Sequence, residues 1–339
     1  MPRAGIPTNH GVNAMNELGL RLVCLFCVLG VLTPPAVTAQ PYPSKPIRFV
    51  VQASAGGQTD IMARIVAQKL SQSWGQQVIV DNRPGAGGTI AMDHVAKSPA
   101  DGYTLGTAAM NTHGAATGLY PKLPYDAVRD FAPVVYAVST VSVLTVHPAL
   151  PVRTLKELLA LARAKPGQLT YASGGSGTSA HLFMELLKMN TKVDIVHVPY
   201  KGSAPAVTDV MAGQVSMQFD PMPSSLPFIK SGKLRALTVS SGKRSPILPD
   251  VPTTIEAGVP GYDYLSWLSF VAPAGTPREV IVKLNGEINR ILQDPEVRQK
   301  LNGLGMSPVG GTPEELGAHI KKQVEVWTKV IQVSGAKAE

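Results

Sequence analysis

Short apolar runs alternate with longer stretches whose apolar residues recur at helical spacing, and no other feature of the chain constrains its fold as much. Ile47–Val51 reads as a strand, and Ile61, Met62, Ile65, Val66 and Leu70 behind it share one helical face. Residues 78–80 read as a second strand, closed by the turn-rich Asn82-Arg83-Pro84-Gly85-Ala86-Gly87-Gly88, and 103–107 as a third. This alternation predicts an α/β architecture with largely parallel sheets. Capping chemistry marks the later helices. Thr154 and Glu157 form a capping-box pattern, with Pro166-Gly167 as the stop. Thr276-Pro277 and Thr312-Pro313 place proline at the first helical position, and Asp294-Pro295 opens a short helix.

The first 39 residues stand apart. A charged start (Arg3, Arg21) leads into an apolar run over 22–32, then Ala36-Val37-Thr38-Ala39 before Gln40. That layout predicts a secretory signal peptide over 1–39, and the run is too short to span a bilayer, which needs about 20 residues. Cys24 and Cys27 both lie inside it, so the chain beyond has no thiol nucleophile or thiolate ligand. The remaining ~300 residues suffice for two domains. Residues 134–146 and 234–240, the latter running on toward Phe270, are extended enough to cross between lobes. A double crossing predicts a discontinuous first lobe, 41–142 plus 260–339, around a second, 143–259; two sequential domains are the alternative. No later apolar stretch reaches spanning length, so the mature chain is expected not to insert in a membrane.

Lys and Arg number 31 against 23 Asp and Glu, a net charge of +8 that favours an anionic ligand by long-range attraction. The basic residues are scattered, which speaks against nucleic acid.

Two similar loops, far apart in sequence, carry the strongest local signal. Ser54-Ala55-Gly56-Gly57-Gln58-Thr59-Asp60 joins the first strand to its helix. Ser173-Gly174-Gly175-Ser176-Gly177-Thr178-Ser179 joins another strand to a helix carrying His181 and Leu182. Glycines let backbone approach a ligand closely, and the opening turn of a helix offers free N–H groups to a carboxylate or phosphate. Ordinary turn and cap chemistry accounts for either loop taken singly. Asp60 reads better as a helix-start cap than as a contact to an anion, and His181 as packing within its lobe. Val198-Pro199-Tyr200-Lys201-Gly202-Ser203 is a third donor loop, although Tyr200 and Lys201 also suit packing and solvation. Asp220, ending a strand over 216–219, suits an amine or hydroxyl on a ligand, or a turn.

Other chemistries fit poorly. Gly175-x-Gly177-x-x-Ala180 matches a dinucleotide pattern but lies mid-chain. No lysine follows the glycines as a phosphate loop requires, and Ser176 lacks the glycine at Thr178 that a nucleophile elbow needs. The histidines form no H-x-x-x-H pair, so no metal is expected. No catalytic residue and no cofactor are expected, and an exported hydrolase acting on a small anion is the alternative.

Several ordered motifs together carry a family resemblance. They are Tyr42-Pro43-x-Lys45-Pro46-Ile47-Arg48, Ala55-Gly56-Gly57-x-x-Asp60, the 82–88 segment, Asp101-Gly102-Tyr103-Thr104-Leu105 and Leu123-Pro124-Tyr125-Asp126. Asp130-Phe131-Ala132-Pro133, Tyr171 to Gly177 with His181-Leu182, and Val198 to Gly202 follow. With these the chain resembles the Bug family of periplasmic receptors of tripartite tricarboxylate transporters. The resemblance implies a type II periplasmic-binding-protein (flytrap) fold, two α/β lobes around a ligand cleft. It also implies capture of a small organic carboxylate: a di- or tricarboxylate, an acidic amino acid or an aromatic acid. Membrane permease subunits or a sensor kinase are its implied partners, and the periplasm its implied location; a monomer is expected. Carried over by motif, Gly56, Gly57, Thr59, Ser176, Gly177 and Thr178 are the foremost site residues. Gln52 and Ala53 stand where the family often has proline and an aromatic residue, a departure that touches the pocket wall.

Overall fold

The computed structural model describes residues 1–5, 42–334 and 336–338. The expected signal peptide therefore falls, from residue 6 onward, outside the described residues. From Tyr42 the chain builds two sheets. The first contains β1 (Ile47–Val51), β2 (Val78–Asn82), β3 (Thr104–Ala109), β4 (Phe131–Thr140), β10 (Ser266–Pro273) and β11 (Met306–Pro308), in the order β11-β4-β10-β3-β1-β2. The second contains β5 (Ser142–Val146), β6 (Thr170–Ser173), β7 (Val196–Pro199), β8 (Met217–Pro221) and β9 (Arg235–Val239), in the order β7-β6-β8-β5-β9.

Both sheets are mixed, which corrects the expectation of largely parallel pairing. β1 pairs parallel with β2 and β3, and β6 parallel with β7 and β8. In each sheet, however, an interior strand runs the other way: β10 is antiparallel to β3 and β4, and β5 to β8 and β9. Parallel neighbours arise from local strand–helix–strand crossovers. β10 and β5 are instead placed by passages between the sheets, so local alternation does not set their direction. A single residue, Val141, separates β4 from β5, and the chain returns between Val239 and Ser266.

Helices α1 (Gln58–Trp74), α2 (Thr89–Ala96) and the short α3 (Ala116–Leu119) belong with the first three strands. In the middle of the chain come α4 (Leu155–Ala164), α5 (Ser179–Thr191), α6 (Ser203–Met211) and α7 (Met222–Lys230). The C-terminal part adds α8 (Arg278–Gln293), α9 (Pro295–Gly303) and α10 (Pro313–Ser334). α8 shows why these segments are helical. Val280, Ile281, Leu284, Ile288, Ile291 and Leu292 recur at three- and four-residue steps and are all buried. Each such side chain contributes roughly 1.5–3 kcal/mol when taken from water. α10 touches both parts of the molecule. Its Trp327 packs on Phe183 of α5, centroids 6.3 Å apart, while its Gln323 accepts from Trp267 Nε1 of β10 at 3.0 Å. Among the described residues no helix is long and apolar enough to cross a membrane.

Candidate functional site

Where the two sheets face each other, strand-to-helix loops from both line one cavity of 80 Å³. That is room for a few water molecules or a small ligand, since one water needs about 10–15 Å³ on the same measure.

The first wall is the loop from β1 into α1. Gly57 is the extended residue just before the helix (φ −78°, ψ 167°), and Gly57, Gln58 and Thr59 line the cavity. The opening N–H groups of a helix have no partner within it, so they remain available to an acceptor. Asp60 organises the loop from behind. Its Oδ2 accepts from Gly56 N and Arg64 Nε, both at 3.0 Å, and its Oδ1 accepts from Asn82 Nδ2 at 3.1 Å. Burial works against its charge, but the bonds from Arg64, Gly56 and Asn82 prevail and hold the carboxyl below its ordinary range. Gly56 has φ +83°, and its N–H is consumed by Asp60. Ser54, Ala55, Gly56 and Asp60 thus shape the loop without lining the cavity.

The second wall is the loop from β6 into α5. Gly174, Thr178 and Ser179 line the cavity. Thr178 caps α5, accepting from His181 N and donating to Gly175 O at 2.7 Å. Gly175 N donates back to Ser173 Oγ at 3.1 Å, and Gly177 N donates to His181 Nδ1 at 3.0 Å. His181 lies flat on His197, centroids 4.3 Å apart. Gly175, Ser176, Gly177 and His181 stand behind the wall rather than in it. A Cβ on Gly177 would meet Leu119 Cδ1 at 2.6 Å, so this glycine permits a close approach of its loop to α3.

Tyr200, Lys201, Gly202 and Ser203, between β7 and α6, form a third wall. The packing and solvation readings of Tyr200 and Lys201 are incomplete on this account, since both residues reach the cavity. Asp220 of β8 closes the floor beside it. It is buried, and Ser203 Oγ donates to its Oδ1 at 2.8 Å. Burial pushes this carboxyl up to about 7, with the Ser203 and Ser224 hydroxyls easing the effect.

Sequence reading passed over a fourth wall. Gly85, Ala86, Gly87 and Gly88 line the cavity in a tight turn before α2, together with Asn111, whose Nδ2 donates to Gly87 O at 2.6 Å. At Gly88 (φ +94°) a Cβ would sit 2.8 Å from Asn111 Nδ2 and 2.9 Å from Gln52 Cβ, so only glycine fits. The signal was present in Gly85-x-Gly87-Gly88 directly after a strand, the same device as the two loops singled out. Ser266 of β10, which accepts from Gln58 Nε2 at 3.1 Å, and Leu268 also line the cavity, as do Gln52 and Ala53 after β1.

The arrangement presents neutral donors, one lysine and one buried carboxyl. A Ser–His contact does occur, Ser173 Oγ to His197 Nε2 at 2.6 Å, but Ser173 is buried, also bonds Gly175, and does not line the cavity. Among the described residues no group of three or more His, Cys, Asp or Glu side chains could hold a metal ion.

Comparison with known proteins agrees with this geometry. The chain is 39% identical over 324 residues to protein BugT of Bordetella pertussis, spanning 94% of this chain and 99% of that one. Rpa4515 of R. palustris, solved with adipate, superposes with a TM-score of 0.85 at 38% identity, covering 87% of this chain and 99% of that one. The periplasmic binding protein BugD superposes with a TM-score of 0.84 at 33% identity, covering 88% and 100%. These likenesses identify the architecture as two α/β lobes of the type II periplasmic-binding-protein fold. Residues 62–336 match the family described as the tripartite tricarboxylate transporter family receptor (TctC). With helix-opening loops walling a cleft in this fold, the chain belongs to the tripartite tricarboxylate transporter receptor family.

Proposed function

We propose that this periplasmic receptor captures a small organic carboxylate between its lobes, with Gly57, Thr59, Gly174, Thr178 and Asp220 in contact with it. The observation that carries the reading is the cavity wall itself. Helix-opening segments from both sheets meet there and offer uncharged donors to an anion that lacks its water shell. Ser54, Ala55, Gly56, Asp60, Gly175, Ser176, Gly177 and His181 hold those segments in place. Adipate, the ligand of Rpa4515, is a dicarboxylate and supports this ligand class. The lobes are 41–142 plus 260–339 and 143–259, and they open and close about the two passages between the sheets. Closure is favoured by contacts that the open form lacks, so ligand binding and lobe closure are coupled. The loaded monomer then docks on membrane permease subunits or a sensor kinase, after export and cleavage near Gln40.

A thermal-shift screen with short mono-, di- and tricarboxylates, acidic amino acids and aromatic acids tests the reading. A ligand at 100 times its Kd stabilises the native state by about 2.7 kcal/mol. At least one carboxylate should raise the midpoint, and its methyl ester should not. No shift across the whole screen would remove carboxylate capture.

A further inference from the structure

The floor of the cavity holds an acceptor that nothing among the described residues satisfies. Asp220 lines the cavity and is 1% exposed. Its Oδ1 takes the Ser203 hydroxyl at 2.8 Å, but its Oδ2 is buried without a hydrogen-bond partner. Ser224, in the first turn of α7, is near enough to ease the charge, yet its hydroxyl makes no well-formed bond and is itself unpartnered. The next residue, Pro221, has no N–H to give. Lys201 lines the same cavity but forms no ion pair with Asp220.

A buried acceptor left unsatisfied costs free energy, and more so when it carries charge. When Asp220 is ionised, as at pH 8, an unsubstituted diacid would aggravate this, because its oxygens bring further lone pairs toward Oδ2. A ligand carrying its own donor would relieve it. Resting on the carboxylate reading above, we propose that Asp220 is a specificity-determining residue, selecting carboxylates that bear a hydroxyl or ammonium group over their unsubstituted counterparts. The helix-opening loops hold the carboxylate while Oδ2 accepts the substituent's proton donor.

Calorimetry at pH 8 on the full-length mature protein tests this with two matched sets: succinate, malate and aspartate, then adipate with its 2-hydroxy and 2-amino forms. Within at least one set, a substituted acid should bind about 10- to 100-fold more tightly than the plain diacid, the range that follows from leaving a buried acceptor unpaired. Whether malate or aspartate leads identifies the donor as hydroxyl or ammonium. In Asp220→Asn, the Ser203 hydroxyl keeps the amide oxygen at Oδ1, which turns the NH2 toward the ligand. The preference of substituted over plain acid should then collapse to within about threefold, whatever the absolute affinities. Equal affinities within each set in the wild type would overturn the inference and leave carboxylate capture standing. So would a preference that persists in the variant. Silence of both sets, together with a silent thermal-shift screen, would overturn the carboxylate reading and this inference with it. The wild-type ratios decide the matter even if the variant does not fold.

Discussion

Ser54 and Gly202 meet where loops from the two sheets come together. Gly202 has φ +126°, and a Cβ there would overlap Ser54 Oγ and lie 2.9 Å from Ser54 N. Gly202→Ala combines a disfavoured backbone conformation with a clash against the opposite loop, so it should weaken carboxylate binding by about 10-fold or more in calorimetry. Small-angle scattering with saturating ligand should show a larger radius than the wild type under the same conditions. His181 illustrates a different role. Its Nδ1 accepts from Gly177 N, so His181→Phe keeps the ring's bulk while leaving that N–H unsatisfied. The loss should be about 1–3 kcal/mol in urea unfolding. At this scale sequence spacing placed Gly57, Thr59, Gly174, Thr178 and Asp220 among the residues that line the cavity. It did not separate them from Gly56, Gly177 and His181, because a glycine that borders a cavity and one that packs on a neighbouring element look alike in sequence. The distinction depends on Leu119 and Asp60, partners 58 positions from Gly177 in one case and four from Gly56 in the other.

Helix boundaries were legible wherever a side chain closes its own backbone. Thr312 forms a full capping box, with Glu315 N donating to Thr312 Oγ1 at 3.2 Å and Thr312 N donating to Glu315 Oε2 at 2.7 Å. Thr312→Ala should therefore cost about 1 kcal/mol of stability, read as a lower urea midpoint with unchanged slope. Thr154 likewise caps α4, although Glu157 reaches back to Arg153 N, one residue earlier than the box predicts. Pro277 lies one position outside the helix that its sequence context predicts it to open. Its ψ of 137° is extended, and α8 begins at Arg278. Strand directions were less legible than strand positions. Ile47–Val51 appears where its apolar run predicts, but nothing within Ser266–Pro273 reveals that the strand runs against β3 and β4. Local pattern encodes which face is buried; direction is decided by distant chain.

For the molecule as a whole, buried histidines shape the response to acid: burial lowers His94 and His319, and three others more strongly. Burial holds His113 near 3. It also lowers His181 to about 4, Glu185 opposing and Lys188 assisting, and His197 to about 3, with His181 and Lys188 adding repulsion. An unfolded histidine titrates near 6.5, so between that value and about 4 the unfolded chain binds more protons. Stability therefore rises with pH across this window and falls as the solution is acidified. Asp220 acts in the opposite sense. The native state keeps its proton up to about 7 while the unfolded chain releases it near 3.8, so its contribution weakens stability as pH rises between those values. Unfolding midpoints from pH 4 to 8 should climb steeply to about 6.5, and Asp220→Asn should remove a downward component that offsets this climb. The α/β character of the molecule was readable from the alternation of apolar runs with helical faces. The placement of β10 was not, and it has a consequence for how the protein comes into being. β10 is an interior strand of the first sheet, yet it lies beyond every strand of the second. A chain emerging amino end first can finish its second sheet while the first still has a gap between β3 and β4. Synthesis must pass Pro273 before that gap can be filled, so a fragment ending ahead of Ser266 should display an open apolar seam to chaperones and proteases.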